Sequence, residues 1–208
     1  MSTDGPSHRG LLVDFGGVLT TDVFASFRAF CEAEGLLPET VRDRFMKDPL
    51  ARELLADLET GRLTEEEFEP KFAAVLEIED PTGLIDRLFA GMQPDEDMVD
   101  AVRAAKRAGV RTGLISNSWG KGRYDRGAFP ELFDGVVISG EVGIRKPDPE
   151  IYRQGAEAVG LPPEQCVFVD DLRGNLKPAR ELGMATVHHT RAAETIAELE
   201  RLLGVALR

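Results

Sequence analysis

The chain has 208 residues, 42% hydrophobic and 30% charged, with 25 Lys+Arg against 37 Asp+Glu and a net charge of −12. That length buries a sizeable core without staples, and the composition excludes disordered, collagen-like and coiled-coil classes. The negative charge argues against non-specific partners such as nucleic acid or anionic membrane, no apolar run approaches the ~20 residues of a membrane span, and two cysteines (Cys31 and Cys166) cannot build a disulfide framework.

The first nine residues read as a loose polar leader, with no apolar stretch of a signal peptide, so a soluble, cytoplasmic protein is expected. Leu11–Val13 is a short apolar run ending at Asp14 and followed by Gly16 and Gly17, the punctuation of a strand leaving the core. From Phe24 to Phe89 apolar residues recur at helical spacing, broken at Gly35, near Pro49 and at Gly61. Thr64 and Glu67 form a capping box ahead of Phe68, Phe72 and Val75, and Pro81 opens a last short helix through Leu84, Leu88 and Phe89. Beyond Pro94 the pattern changes. A helix through Met98, Val102 and Ala105 closes at Gly109, and strands are expected at Val110–Ser116 and Gly135–Ser139. They are followed by a helix at Glu150–Val159, a strand at Cys166–Val169 that runs into Asp170 and Asp171, a helix at Lys177–Leu182, a strand at Ala185–His188 and a helix at Ala193–Leu203.

Continuous apolar strands alternating with helices predict an α/β fold, a parallel sheet flanked by helices on both faces. The all-helical stretch separates the first strand from the rest. The expected organisation is therefore a discontinuous core, 1–20 with 94–208, carrying an inserted helical cap, 21–93.

Ligands sit at the carboxyl ends of the strands in such sheets. Three strand ends carry reactive groups, namely Asp14, Ser116 and the Asp170–Asp171 pair, and Lys146 lies in the loop Arg145–Asp148. An ionised carboxylate at a strand end can act as a nucleophile. Further carboxylates with backbone carbonyls make a hard oxygen site for Mg²⁺. A lysine can neutralise a phosphoryl group, and a serine hydroxyl with nearby backbone N–H groups can hold its oxygens. Each residue alone has a plainer reading, as turn, cap or surface. The four together are much harder to dismiss.

The pieces Asp14-Phe15-Gly16-Gly17-Val18, Ile115-Ser116-Asn117, the run from Lys146-Pro147 to Tyr152, and Val169-Asp170-Asp171 through Asn175 resemble, in this order, the haloacid dehalogenase (HAD) superfamily of aspartate-nucleophile hydrolases. Ser116-Asn117-Ser118-Trp119 and the run from Asp170 to Met184 are similar to the N-terminal phosphatase domain of soluble epoxide hydrolase. The resemblance covers nearly everything after Gly10, and no epoxide-hydrolase partner domain follows, so a stand-alone unit is expected. It implies a Rossmann-like core and a cap over about Asp22 to Met92 that closes over the site and selects substrate. The activity it implies is a Mg²⁺-dependent phosphatase acting on small organic phosphomonoesters through an aspartyl-phosphate, with the chain a monomer or homodimer.

The resemblance also assigns roles. Asp14 is the implied nucleophile and a metal ligand. Ser116 and the amide of Asn117 bind the phosphoryl group, Lys146 bridges that group and Asp14, and Asp171 is the main acidic metal ligand, with Asp170 beside it as a further metal ligand or as a support for Asp171. One departure stands out. Phosphatases of this superfamily usually carry a second Asp two residues after the nucleophile as acid and base; here the position is Gly16, whose carbonyl can still bind metal. A positioned acid–base group is worth ~10²–10⁴-fold in rate. Asp22 and Thr20, just downstream, are the candidate substitutes. Because of Gly16, a haloacid-type dehalogenase and a phosphate-binding protein with weak catalysis remain as alternatives, although dehalogenases need no metal and typically lack the paired acids.

Other features have plain readings. Trp119 is expected to pack at the site rim within reach of substrate, His188 and His189 to lie at the surface, and Cys166 to be buried. Cys31 lies on a cap helix with no evident partner. The loop Gly120–Arg123 lacks the fixed spacing of a phosphate loop and is expected to be a mobile loop that could add positive charge near the site, and Glu65–Glu67 are expected to make a solvated first helical turn favoured by the helix dipole.

Overall fold

The computed structural model describes residues 8–120, 122 and 124–208. The leader's first seven residues, and Lys121 and Arg123 of the expected basic loop, lie outside the described residues.

Five parallel strands form one sheet: β1 (Gly10–Val13), β2 (Arg111–Ser116), β3 (Gly135–Ile138), β4 (Cys166–Asp170) and β5 (Ala185–His188), in the order β3-β2-β1-β4-β5. Alternate residues of β1 serve opposite faces, as the period of a strand requires. Leu11 and Val13 join a cluster with Met98, Val102, Ile196 and Leu199. Those residues belong to α6 (Glu96–Arg107) and α11 (Ala192–Leu203), which cover one face with the short α7 (Phe129–Leu132). Leu12 points the other way, into a cluster with Ile115, Ile151, Tyr152, Phe168 and Leu176, covered by α9 (Pro149–Ala158) and α10 (Arg173–Glu181). The α/β reading of the sequence therefore holds, with both faces of the sheet buried.

Between β1 and β2 lie α1 (Val23–Ala33), α2 (Thr40–Lys47), α3 (Pro49–Glu59), α4 (Glu65–Leu76) and α5 (Leu84–Phe89). They share an apolar cluster of their own, which includes Phe27, Phe30, Phe68, Phe72 and Leu88. Side-chain caps start α1, α3 and α4. Asp22 accepts from the Phe24 amide at the head of α1. Asp48 accepts from the amides of Leu50 and Ala51, with Pro49 at the first helical position of α3. The Thr64–Glu67 capping box is present in both directions. The chain leaves for these helices and returns from them side by side. Thr21 N–H donates to Gln93 O at 2.8 Å, and Asp95 N–H to Leu19 O at 2.9 Å.

Several boundaries differ from expectation. Helix α10 begins at Arg173 rather than Lys177, because its polar first turn is held by Asn175 bonding to Asp170 instead of by apolar spacing. Ser139 leaves β3 and opens a four-residue helix, α8 (Ser139–Val142), too short to show a helical period. Cys31 and Cys166 are both buried and free. No helix among the described residues is long and apolar enough to cross a membrane.

Candidate active site

Asp14, Ser116 and Asp170 lie at or just past the carboxyl ends of β1, β2 and β4, three adjacent strands of the sheet. The Asp14 N–H still donates to Val169 O at 2.9 Å, so the nucleophile candidate is held by the last rung of the ladder. Lys146 arrives from the loop between α8 and α9 and is 1% exposed. Its Nζ lies 2.7 Å from Asp14 Oδ1 and 2.7 Å from Asp170 Oδ2.

Asp170 is fully buried, and both its carboxylate oxygens are engaged. Oδ1 accepts from Leu172 N and Asn175 Nδ2, and Oδ2 from Lys146 Nζ and Asn175 Nδ2. Asp171 is less enclosed, and its carboxylate lies against the backbone of Gly17. Gly17 has φ +74°, and a Cβ there would stand 2.6 Å from Asp171 Oδ2. Carboxylate oxygens of Asp14, Asp170 and Asp171 lie within 4.8 Å of one another.

The electrostatics follow from this crowding. Burial, with the charges of Asp170 and Asp171, pushes the Asp14 carboxyl up to about 8 against the pull of Lys146. Burial and then the Asp170 charge raise Asp171 to about 6. Burial alone would lower Lys146, but Asp14 and Asp170 more than offset it and its ammonium is held charged. Three carboxyl groups share one ammonium in a buried place, and the upward shifts of Asp14 and Asp171 mark negative charge there as under-compensated. An oxygen-rich donor set with that imbalance fits a hard divalent cation such as Mg²⁺.

Ser116 is 2% exposed, and its Oγ lies 2.9 Å from the Tyr124 hydroxyl. The Asn117 side chain spans to the neighbouring loop, with Nδ2 donating to Lys146 O at 3.1 Å and Oδ1 accepting from Lys146 N at 2.8 Å. Gly16 lines the same cavity, and a Cβ there would meet Val23 Cγ2 at 3.1 Å. Thr20 and Asp22 do not line the cavity. Thr20 Oγ1 accepts from Gly17 N and donates to Thr21 O, while Asp22 caps α1 and pairs with Arg28.

Above this polar floor the cavity, about 320 Å³, is walled by rings on the inserted helices, chiefly Phe24, Phe27, Phe45 and Phe89, with Arg42 on α2 also lining it. Trp119 is part of this aromatic wall, with ring centroids 5.0 Å from Phe89, 5.6 Å from Phe45 and 5.8 Å from Phe27.

The expectation of surface histidines is corrected. His189 is buried, with Nδ1 2.9 Å from Thr195 Oγ1, because α11 folds back over the end of β5. His188 is half-buried, and its Nε2 lies 2.9 Å from the backbone carbonyl of Asp171, behind the carboxylate cluster. Sequence reasoning also passed over Tyr124, Glu59 and Arg145, all of which line the cavity. Tyr124 sits in a Gly-rich stretch without periodicity. Glu59 looks like an ordinary helix-end carboxylate until the fold sets it beside Arg145, where burial pushes its carboxyl up to about 7 against the pull of that guanidinium.

Comparison with known proteins gives a family. Residues 8–183 match the family of haloacid dehalogenase-like hydrolases. The chain is 32% identical over 131 residues to bifunctional epoxide hydrolase 2 of Sus scrofa, a match covering 60% of this chain and 24% of that protein. It is 30% identical over 106 residues to a glyceraldehyde 3-phosphate phosphatase of Methanopyrus kandleri, covering 49% of this chain and 46% of the relative. The chain thus spans about a quarter of the length of the epoxide hydrolases it matches. Among solved structures, a HAD-like family hydrolase from Porphyromonas gingivalis superposes with TM-score 0.71 at 27% identity, covering 95% of this chain and 98% of the other.

Proposed function

The chain belongs to the haloacid dehalogenase-like hydrolases, and from that premise we propose that it is a Mg²⁺-dependent phosphomonoesterase whose nucleophile is Asp14. The observation that carries the proposal is the Lys146 ammonium bridging Asp14 and Asp170 at the floor of an apolar cavity, with Asp171 beside them. The similarity to a protein named as a phosphatase of glyceraldehyde 3-phosphate supports the reaction class.

In the proposed reaction an Asp14 carboxylate oxygen attacks phosphorus, and the bond from phosphorus to the ester oxygen breaks. Water then attacks the aspartyl-phosphate, releasing inorganic phosphate and restoring Asp14. Lys146 and Ser116 act as catalytic residues by holding phosphoryl oxygens, with the Asn117 amide beside them. Asp14, Asp171 and the Gly16 carbonyl are the proposed Mg²⁺ ligands. Asp170, whose oxygens are already engaged, orients Lys146 from behind. The bound cation would supply the positive charge that lets a phosphate approach three carboxylates. Position 16 offers no proton, so the leaving oxygen takes one from solvent.

Residues 21–93 serve as the cap in this proposal, and the ring-lined walls select the organic part of the ester. A compact apolar body fits such walls, and aryl esters also leave without an acid's help. Nucleic acids and membranes are not proposed partners, and the proposed location is cytoplasmic.

The test is p-nitrophenyl phosphate hydrolysis with Mg²⁺ and with EDTA, for wild type and Asp14→Asn. Mg²⁺-dependent turnover that vanishes in Asp14→Asn is expected. Equal rates in the two proteins would remove the proposal, and chloride release from 2-chloropropionate would then be assayed for a dehalogenase.

A further inference from the structure

Glu59 is the last residue of α3, far from the strand ends in sequence, yet it is 6% exposed and lines the active-site cavity. Its contacts account for its burial. Arg145 Nη1 donates to Glu59 Oε2. The Glu59 carboxylate also engages the side chain of Asn117. Its backbone carbonyl accepts from Ser139 Oγ, and that same oxygen accepts from Ser118 N–H at 2.8 Å. Asn117 in turn holds the Lys146 backbone on both sides, through Lys146 N–H and Lys146 O. Two residues beyond Glu59, Gly61 has φ +71°, and a Cβ there would stand 2.6 Å from the Gly140 carbonyl. Only glycine permits that approach, so the end of α3 lies directly on α8.

One residue of the inserted helices therefore grips both loops that carry phosphoryl-binding groups: 116–118 through Asn117 and Ser139, and 145–146 through Arg145. We propose that Glu59, paired with Arg145, is a positioning residue that holds Lys146 and the Ser116–Asn117 loop in working geometry when the helical segment is seated on the core. This rests on the phosphatase reading for its kinetic consequence, though not for its structural one. Glu59 touches no reacting atom; it acts through Arg145 and Asn117. A buried ion pair is a poor source of net stability, because desolvation of both charges offsets their attraction. Its effect here is geometric. Lys146 Nζ meets two carboxylates at 2.7 Å each, and a shift of its backbone changes the balance between the two contacts.

The experiment compares Glu59→Ala, Glu59→Gln and wild type by steady-state kinetics on p-nitrophenyl phosphate with Mg²⁺ and by NMR amide exchange. In Glu59→Ala, kcat is expected to fall about 10²-fold, the usual consequence of a small misplacement, with KM changed much less. Glu59→Gln keeps an oxygen for Arg145 and is expected to recover much of that loss. The Lys146 and Ser118 amides are expected to exchange at least about tenfold faster in Glu59→Ala, with amides of β4 unchanged. Arg62→Gln, which removes an exposed pair with Asp57 next to α3, is the control and should change neither readout. A lower melting temperature in Glu59→Ala with unchanged kcat and unchanged exchange at Lys146 and Ser118 would overturn the proposal, leaving Glu59 a simple anchor. Absence of Mg²⁺-dependent turnover in wild type would instead strike the phosphatase reading, and the exchange measurement would still decide the bracing role.

Discussion

The Lys146 ammonium stands 2.7 Å from the Asp14 carboxylate, and both groups are buried at the end of the sheet. Lys146 is the cation held between Asp14 and Asp170. Replacing it by Met leaves those carboxylates facing each other without a counter-charge, a loss of ~3–5 kcal/mol for a broken buried pair. Urea unfolding of metal-free Lys146→Met should show a loss of that size, and phosphatase turnover should disappear. A variant as stable as wild type would mean that the carboxylates find another counter-charge.

The same crowding sets a pH dependence. The folded carboxyls of Asp14, Glu59 and Asp171 hold their protons more tightly than their ordinary values of 3.8, 4.5 and 3.8, at about 8, 7 and 6. The stability they contribute is complete below those ordinary values and is lost as pH rises through the folded ones. In EDTA, the melting temperature should fall between about pH 5 and pH 8. Saturating Mg²⁺ at the upper pH should raise it again, since a ligand that binds only the folded state stabilises it by mass action. A flat profile in EDTA, or no response to Mg²⁺, would contradict the electrostatic account.

Gly17 is the place where backbone conformation meets the proposed metal site. Its φ of +74° disfavours any side chain, by ~1–2 kcal/mol for Ala. The added Cβ would also stand 2.6 Å from Asp171 Oδ2 and push that carboxylate away. Gly17→Ala should therefore weaken Mg²⁺ binding, read by calorimetry, beyond its effect on unfolding. Unchanged Mg²⁺ affinity would take Asp171 out of the metal site.

Gly16 bears on leaving-group preference. With no acid at this position, phenyl phosphates should be hydrolysed faster than alkyl phosphates in a matched series. Gly16→Asp should raise alkyl ester turnover by as much as ~10²-fold and flatten the series. Its Cβ would meet Val23 Cγ2 at 3.1 Å, so Gly16→Asp with Val23→Ala gives the side chain room. If neither variant alters the slope against leaving-group pKa, protonation does not limit the reaction.

Much of this was legible in the chain. The apolar runs at Leu11, Ile115 and Cys166 through Val169 marked strands, and the polar residues that end them marked the site. Thr64 and Glu67 start α4 by chemistry contained within one turn, so they could be read directly. Glu59 and Tyr124 carried no comparable sign. Each meets its partner across elements: Glu59 reaches Arg145 from α3, and Tyr124 reaches Ser116 across a loop. His189 looked like a strand-end surface residue because nothing local announces that Thr195 on α11 will cover it.

By itself, then, the sequence determined the alternation of strands and helices, the helical stretch between the first two strands, and the reactive groups at strand ends. Those follow from periodicity and capping, which act over a few neighbouring residues. The tertiary structure decided that Asp170 would have both oxygens engaged while the less enclosed Asp171 carboxylate came to lie against Gly17. It also decided that the aromatic rings of the inserted helices would wall the cavity and that Glu59 would close on Arg145. The reason is physical: periodicity records which side of its own element a residue occupies, whereas contact between elements depends on strand order and on where the inserted helices come to rest.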